Sequence, residues 1–186
     1  YVAKLASYFM PDEEARRDYL SRSAARQKVR EHPLCYLAPS LDKEMGFLAA
    51  TVQMRQSMDE KVGIIVPSSS LIHELAKGLK KRGVEVEKVI ERDAQNIFHE
   101  PFDFGNNIPK IAAYHTAKGL AFDSVFLPHL TENSFSGAKG EARQRMVFVG
   151  ITRARQWVYL STVRGEEFKE IKILKAAETD GHLLMI

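Results

Sequence analysis

Apolar positions along this chain follow two spacings that alternate. Val62–Val66 (Val-Gly-Ile-Ile-Val) is continuously apolar, as a strand covered on both faces of a parallel sheet must be. Pro67 and Ser68, Ser69 and Ser70 break that run. Leu71, Ile72, Leu75, Ala76 and Leu79 then recur at the three-and-four spacing of a helix face, which Gly83 stops. The same unit precedes it. Leu34–Leu37 is a short apolar run after Pro33, Ser40 can cap a helix, and Phe47, Leu48, Thr51, Val52 and Met54 carry an apolar stripe to about Met58. Further strands are predicted at Val84–Ile90, Ile111–Tyr114, Ser124–Leu127 and Trp157–Val163, and further helices at Asp12–Glu31, Glu141–Val149 and Glu166–Ala177. Arg92–Lys110, with two prolines and a glycine, and the polar stretch Thr131–Gly140 are predicted loops.

Strand, helix and strand in repetition predict an α/β fold with a parallel sheet and helices on both faces. The body runs from 34 to 178, with a helical segment at 1–33 and a turn and short tail at 179–186. Ligands of such sheets collect outside the carboxyl ends of the strands. That rule points to Pro67–Ser70, His115–Leu120 and His129–Gly140, and expects the end of the helix running from Glu141 to Arg155 beside them.

Composition narrows little. Hydrophobic residues make up 45% and charged residues 27% of 186, as in ordinary globular proteins. A net charge of +3 permits a nucleic-acid partner without demanding one. Cys35 is the single cysteine, within an apolar run; an internal disulfide is excluded and a buried thiol in a reducing, cytoplasmic setting is expected. No apolar stretch is long enough for a membrane span and no signal peptide is visible. Trp157 and Tyr159 read as core, and His129, after Pro128 at a strand end near the cleft, as a loop histidine without a role, with contact to a nucleotide as the alternative.

Several chemistries have no residues to carry them. A phosphate-cradling Gly-x-x-x-x-Gly-Lys-[Ser/Thr] loop, an acidic pair for Mg²⁺, metal-ligand spacing of Cys and His, and a Gly-x-Ser-x-Gly elbow are all missing from the sequence. Two segments remain. In Tyr114-His115-Thr116-Ala117-Lys118-Gly119-Leu120-Ala121-Phe122, a predicted strand end leads into Lys-Gly and a second strand. Thr116 and Lys118 can meet phosphate oxygens there, or the segment is a plain turn with a solvated lysine. In Val147–Gln156, an apolar helix face ends in Thr152-Arg153-Ala154-Arg155. Lys139, Arg143, Arg145, Arg153 and Arg155 stand against Glu141 alone, which suggests an anion nearby. Placement of arginine at a helix C-terminus accounts for one or two of them without any ligand.

Together these segments resemble motifs V and VI of the UvrD/Rep-type superfamily-one DNA helicases. His-Thr-Ala-Lys-Gly-Leu-x-Phe-Asp-x-Val-Phe-Leu resembles motif V, and Val-Gly-Ile-Thr-Arg-Ala-Arg resembles motif VI. Val62–Leu79 resembles the strand-loop-helix of motif IVa, with Ser68 and Ser69 where the family usually shows Thr and Asn. The resemblance spans roughly Leu34–Val163. It implies the second RecA-like domain of a motor, a three-layer fold without its own Walker A loop, in a compact form lacking the large helical insertion.

The implied roles follow by position. Arg153 is an arginine finger reaching a γ-phosphate held by a separate N-terminal RecA-like domain, a contribution of ~10³–10⁵ in rate. Lys118, Gly119 and Ala121 line the nucleotide cleft; the family usually carries Glu where Ala121 stands. His115, Thr116, Ser68 and Ser69 lie along single-stranded DNA. ATP and Mg²⁺ are held mainly by the other domain, so the chain alone is expected to hydrolyse no ATP and to bind single strands weakly, with strong salt dependence. An arginine-bearing motif IV is not recognisable among Arg16, Arg17, Arg22, Arg26 and Arg30. The alternatives are a binding module that keeps the fold and has lost the motor, and an unrelated nucleotide-binding α/β protein.

Overall fold

The computed structural model describes residues 1–24, 31–90, 105–135 and 137–186. Among these, seven parallel strands form one sheet in the order β3-β4-β2-β5-β6-β1-β7. They are β1 (Leu34–Ala38), β2 (Val62–Val66), β3 (Glu87–Val89), β4 (Lys110–Ala113), β5 (Phe122–Leu127), β6 (Ala154–Val163) and β7 (Leu184–Met185). The helices are α1 (Val2–Ser7), α2 (Glu13–Ala24), α3 (Leu41–Ser57), α4 (Ser69–Lys80), α5 (Glu141–Ile151) and α6 (Ile171–Thr179).

Alternation along the strands sorts two cores. Ile64, Val66, Ile111, Phe126, Trp157 and Tyr159 face α3 and α4. Ile65, Ala112, Val125, Leu127, Val158 and Leu160 face α1, α5 and α6. The central strands therefore bury both faces, which is why their sequences show no polar alternation. Trp157 is 4% exposed and donates its indole N–H to the His32 carbonyl at 2.8 Å, so it is core as expected. Cys35 is buried, and burial pushes its thiol up to about 12, which leaves it inert.

Most predicted elements appear with shifted ends. Ser40 caps α3 by accepting from the Lys43 N–H at 3.3 Å, and Gly83 follows α4 with a φ of 79°. The strand expected over Val84–Ile90 shrinks to Glu87–Val89, because the Val84 N–H is used by the Leu79 carbonyl at the end of α4. The helix expected from Glu166 begins only at Ile171. Main-chain groups before it are taken by the loop after β5, through Glu132 N–H to Glu166 O and Phe168 N–H to Leu130 O. The helix expected over Asp12–Glu31 is described to Ala24; its continuation, most of the loop expected at 92–110, and Ser136 lie outside the described residues.

Both flanking segments pack onto the body. Val2, Leu5 and Ala6 of α1 enter the core beside α5 and α6. The tail pairs in parallel with β1, Leu34 against Leu184 and Cys35 against Met185. Six residues in one case and two in the other are too short for periodicity to announce.

The run from β4 to β5 positions the candidate site. β4 and β5 are parallel with β2 between them, so 114–121 must travel from the carboxyl end of β4 back to the amino end of β5. It does so under α5, with Tyr114 and Ala117 in that core. Helix and segment approach closely at Gly150, where a Cβ would stand 2.6 Å from the Tyr114 ring and 2.8 Å from a Leu127 methyl. Replacing Gly150 by Val is expected to lower the unfolding free energy by about 1–3 kcal/mol through overpacking. Gly150→Ala should lose less, since ~1 kcal/mol of helix propensity offsets the clash. Urea unfolding followed by circular dichroism measures both.

Candidate functional site

Arg153 is the residue that the resemblance makes the arginine finger. It follows α5 and precedes β6, half-buried, and its carbonyl accepts from the Phe122 N–H at 2.9 Å. Its guanidinium is fixed by acceptors without formal charge: Nε donates to the Val149 carbonyl at 3.2 Å, one terminal nitrogen to the Leu120 carbonyl at 3.5 Å, and the other to Thr152 Oγ1 at 3.2 Å. Among the described residues it makes no ion pair with a carboxylate. A cation held by carbonyls keeps its full charge for an outside anion. Tyr19 of α2 lies nearby. Burial pushes its phenol up, while a hydrogen bond from Ser23 and the charge of Arg153 pull it back; its ring also meets Phe148 edge-on at 5.6 Å.

The expected location needs correction. A helix packed on a parallel sheet runs back against the strands, so α5 ends at their amino edge. Arg153, just ahead of β6, therefore sits opposite the carboxyl edge. The segment 114–121 spans both edges: His115 follows β4 at the carboxyl edge, while Leu120 and Ala121 arrive beside Arg153. Gly119 makes the bend with a φ of 91°, in open space, so backbone conformation and not crowding selects glycine.

The crossing leaves a groove of about 390 Å³ between 114–118 and the outer stripe of α5. Tyr114, Ala142, Met146 and Val149 form its apolar lining, Lys118 and Arg145 its cationic lining, and the His115 imidazole is a further polar group there. His115, Lys118 and Arg145 are exposed, whereas Thr116 is 3% exposed and turned into the protein. Ser68 and Ser69 are not part of this groove. They begin α4 after β2, where Ser68 Oγ and Ser70 Oγ share a hydrogen bond at 2.9 Å.

The clustered basic residues separate in the fold. Arg143 is 3% exposed and is consumed internally, contrary to its grouping with an outside anion. It holds Glu132 in two-point fashion at 2.6 and 3.0 Å and Glu170 at 3.0 Å, over the Phe135 ring. Its hydrogen bonds hold the Glu132 carboxyl down to about 2. Arg143 thus ties the loop after β5 to α5 and to the start of α6.

His129 was expected to be without a role and is instead part of a buried polar cluster. Glu44 of α3 is fully buried and accepts from the His129 N–H at 2.8 Å, from His129 Nδ1 at 2.9 Å and from Ser161 Oγ at 2.7 Å. His129 holds a left-handed φ of 57° at the carboxyl end of β5. The trace in sequence is a Glu on a helix face that is mostly apolar, far from its partners along the chain. Among the described residues no group of three His, Cys, Asp or Glu could hold a metal.

The hydrogen bond to Glu44 raises the His129 pKa more than burial lowers it. A raised folded-state value means that the pair stabilises most below histidine's unfolded value of ~6.5 and loses that contribution as pH climbs through the folded one. Wild-type unfolding free energy should therefore fall across the neutral-to-alkaline range. Urea titrations of Glu44→Gln should show a flatter dependence there; an unchanged slope contradicts the assignment.

Residues 96–165 match the sequence model of the UvrD-like helicase C-terminal domain. DNA helicase II of Rickettsia typhi and the "Probable DNA helicase II homolog" of Rickettsia conorii are each 40% identical over 68 residues, covering 32% of this chain and 10% of theirs. The chain thus spans a tenth of the length of the curated relatives it matches. Among solved structures, the C-terminal domain of a possible DNA helicase from Lactobacillus plantarum WCFS1 superposes with a TM-score of 0.62 at 18% identity, covering 83% of this chain and 85% of that one. An arterivirus nonstructural protein 10, a helicase in complex with DNA, superposes with a TM-score of 0.50 at 11% identity, covering 90% and 36%. At these identities the two structures establish a shared α/β fold of the RecA-like kind. Among the described residues no helix is long and apolar enough to cross a membrane.

Proposed function

From the premise that this chain carries a UvrD-like helicase C-terminal domain, we propose that it is one half of a DNA-translocating motor whose ATP site is completed by a separate N-terminal RecA-like domain. One observation carries the reading: the Arg153 guanidinium is fixed by carbonyl oxygens and a hydroxyl, with no carboxylate ion pair among the described residues. Arg143, ten residues earlier, shows what a structural arginine in this helix looks like, with two carboxylates around it.

In this reading Arg153 approaches the γ-phosphate of ATP bound by the other domain and offsets the charge that builds during phosphoryl transfer. Leu120 and Ala121 end beside it, and Lys118 and Gly119 continue the same wall of the cleft. Ala121 brings no carboxylate to the nucleotide, so this chain contributes charge and shape there without a ribose or base ligand of its own. Mg²⁺ falls to the residues of the other domain. Single-stranded DNA passes over the carboxyl edge, where His115, Ser68 and Ser69 meet its backbone without reading its bases. Thr116, being buried, positions that segment from beneath. A motor-dead adaptor on the same fold has Ala121 in its favour and leaves the charge of Arg153 without a use.

Joined to the nucleotide-binding domain of its parent protein, the chain should support DNA-stimulated ATP hydrolysis. Arg153→Ala should reduce kcat by ~10³-fold or more with little change in DNA affinity, and Arg153→Lys should restore little, because a point charge does not replace the two-point fork. Steady-state ATPase assays with saturating single-stranded DNA measure this; an unimpaired Arg153→Ala rate sinks the motor reading.

A further inference from the structure

We infer that the groove between 114–118 and α5 is a subsite for one nucleotide unit of a single strand, with the base on its apolar floor and the phosphate on its cationic rim. The inference rests on the DNA-track reading above and adds to it a place for the base.

The groove has the right dimensions and the right two-sided chemistry. Its volume of about 390 Å³ falls within the ~300–1,000 Å³ typical of small-ligand clefts. Ala142, Met146 and Val149 lie at i, i+4 and i+7 on α5 and so form one strip along the helix. Met146 and Val149 are half-buried, which leaves part of that strip open to solvent. A methionine thioether is polarizable and packs well against flat aromatic faces, so the strip suits a heterocycle of any sequence. The rim has His115 on one wall and Arg145 on the other, with Lys118 at the end that leads on to the nucleotide cleft, and none of the three is ion-paired among the described residues. Among the described residues no acidic side chain lines the groove.

A second observation points the same way. Tyr114, which lines this groove, carries a buried hydroxyl that finds no hydrogen-bond partner among the described residues. An unsatisfied buried hydroxyl costs about 1–3 kcal/mol, and a base edge entering the groove offers the missing partner after a small side-chain shift. Burial also pushes this phenol well above its ordinary range, so it enters as a neutral donor. His115, which the DNA-track reading sets against the backbone, stands on the rim, so a strand held there has a nucleotide above the floor.

The test uses the whole chain with methyl-labelled Met, Ala and Val, titrated in low salt with an oligothymidylate of about eight residues and observed by NMR. The inference expects saturable shifts of the Ala142, Met146 and Val149 methyl resonances. An oligomer of equal length with abasic sites should bind ~5-fold or more weakly and leave those methyls unmoved. Ala142→Trp, at an exposed position that fills the groove, should weaken the thymidylate to the level of the abasic strand and leave the abasic strand unaffected. If the thymidylate binds while the groove methyls stay still, the base subsite is wrong and the DNA track stands. If ATP or an acidic peptide moves these methyls and the thymidylate does not, the groove belongs to that occupant and the inference fails. If the thymidylate does not bind at all, the DNA-track reading falls and takes the subsite with it.

Discussion

A helix laid on a parallel sheet must run antiparallel to the strands it covers, and here that constraint decides where the chemistry stands. α5 begins at the carboxyl edge and ends at the amino edge, where the Arg153 carbonyl accepts the Phe122 N–H. The same hydrogen bond fixes the arrival of 114–121, so the two segments singled out in the sequence become one continuous wall. Glycine at 150 lets helix and segment touch. Everything proposed for the cleft, from the arginine to the groove beside it, depends on that contact holding its geometry.

Charge in this wall is divided between two kinds of arginine. Arg143 is surrounded by Glu132 and Glu170 and works as a clamp between loop, α5 and α6. Removing one partner of such a buried pair strands the other charge, which makes clamps of this type expensive to break. Arg153 has carbonyls and a hydroxyl for neighbours, and these orient it while leaving its charge unspent. Glu44 performs the clamp role on the opposite face, where three donors from His129 and Ser161 tie α3 to the carboxyl ends of β5 and β6. Both clamps hold the carboxyl edge, one from each face of the sheet, so the edge that frames the proposed DNA contacts is fixed by buried polar groups.

Much of the fold was legible because central strands such as Val62–Val66 cannot be anything but buried, and because α4 shows a clean apolar stripe. α1 and β7 were not, being too short for their period to repeat often enough to reveal them. The candidate site was legible as two motifs but not as a place. Sequence order does not say that eight residues cross under α5, and the carboxyl-end rule for ligands misplaced Arg153 by a full strand length. His129 was unreadable for a different reason: Glu44, 85 residues away, gives it its environment. Arg143 looked like its basic neighbours until burial and two carboxylates separated it from them.

The central claim is that the Arg153 side chain is aimed at a triphosphate held elsewhere. It is tested most directly by a structure of the parent protein bound to single-stranded DNA and a γ-phosphate transition-state mimic such as ADP with aluminium fluoride. The account predicts both terminal nitrogens of Arg153 within hydrogen-bonding distance of the fluoride or phosphate oxygens, with Leu120 and Ala121 lining the same cleft. A guanidinium still turned back on Val149 and Leu120, with the mimic coordinated by other residues, would contradict it.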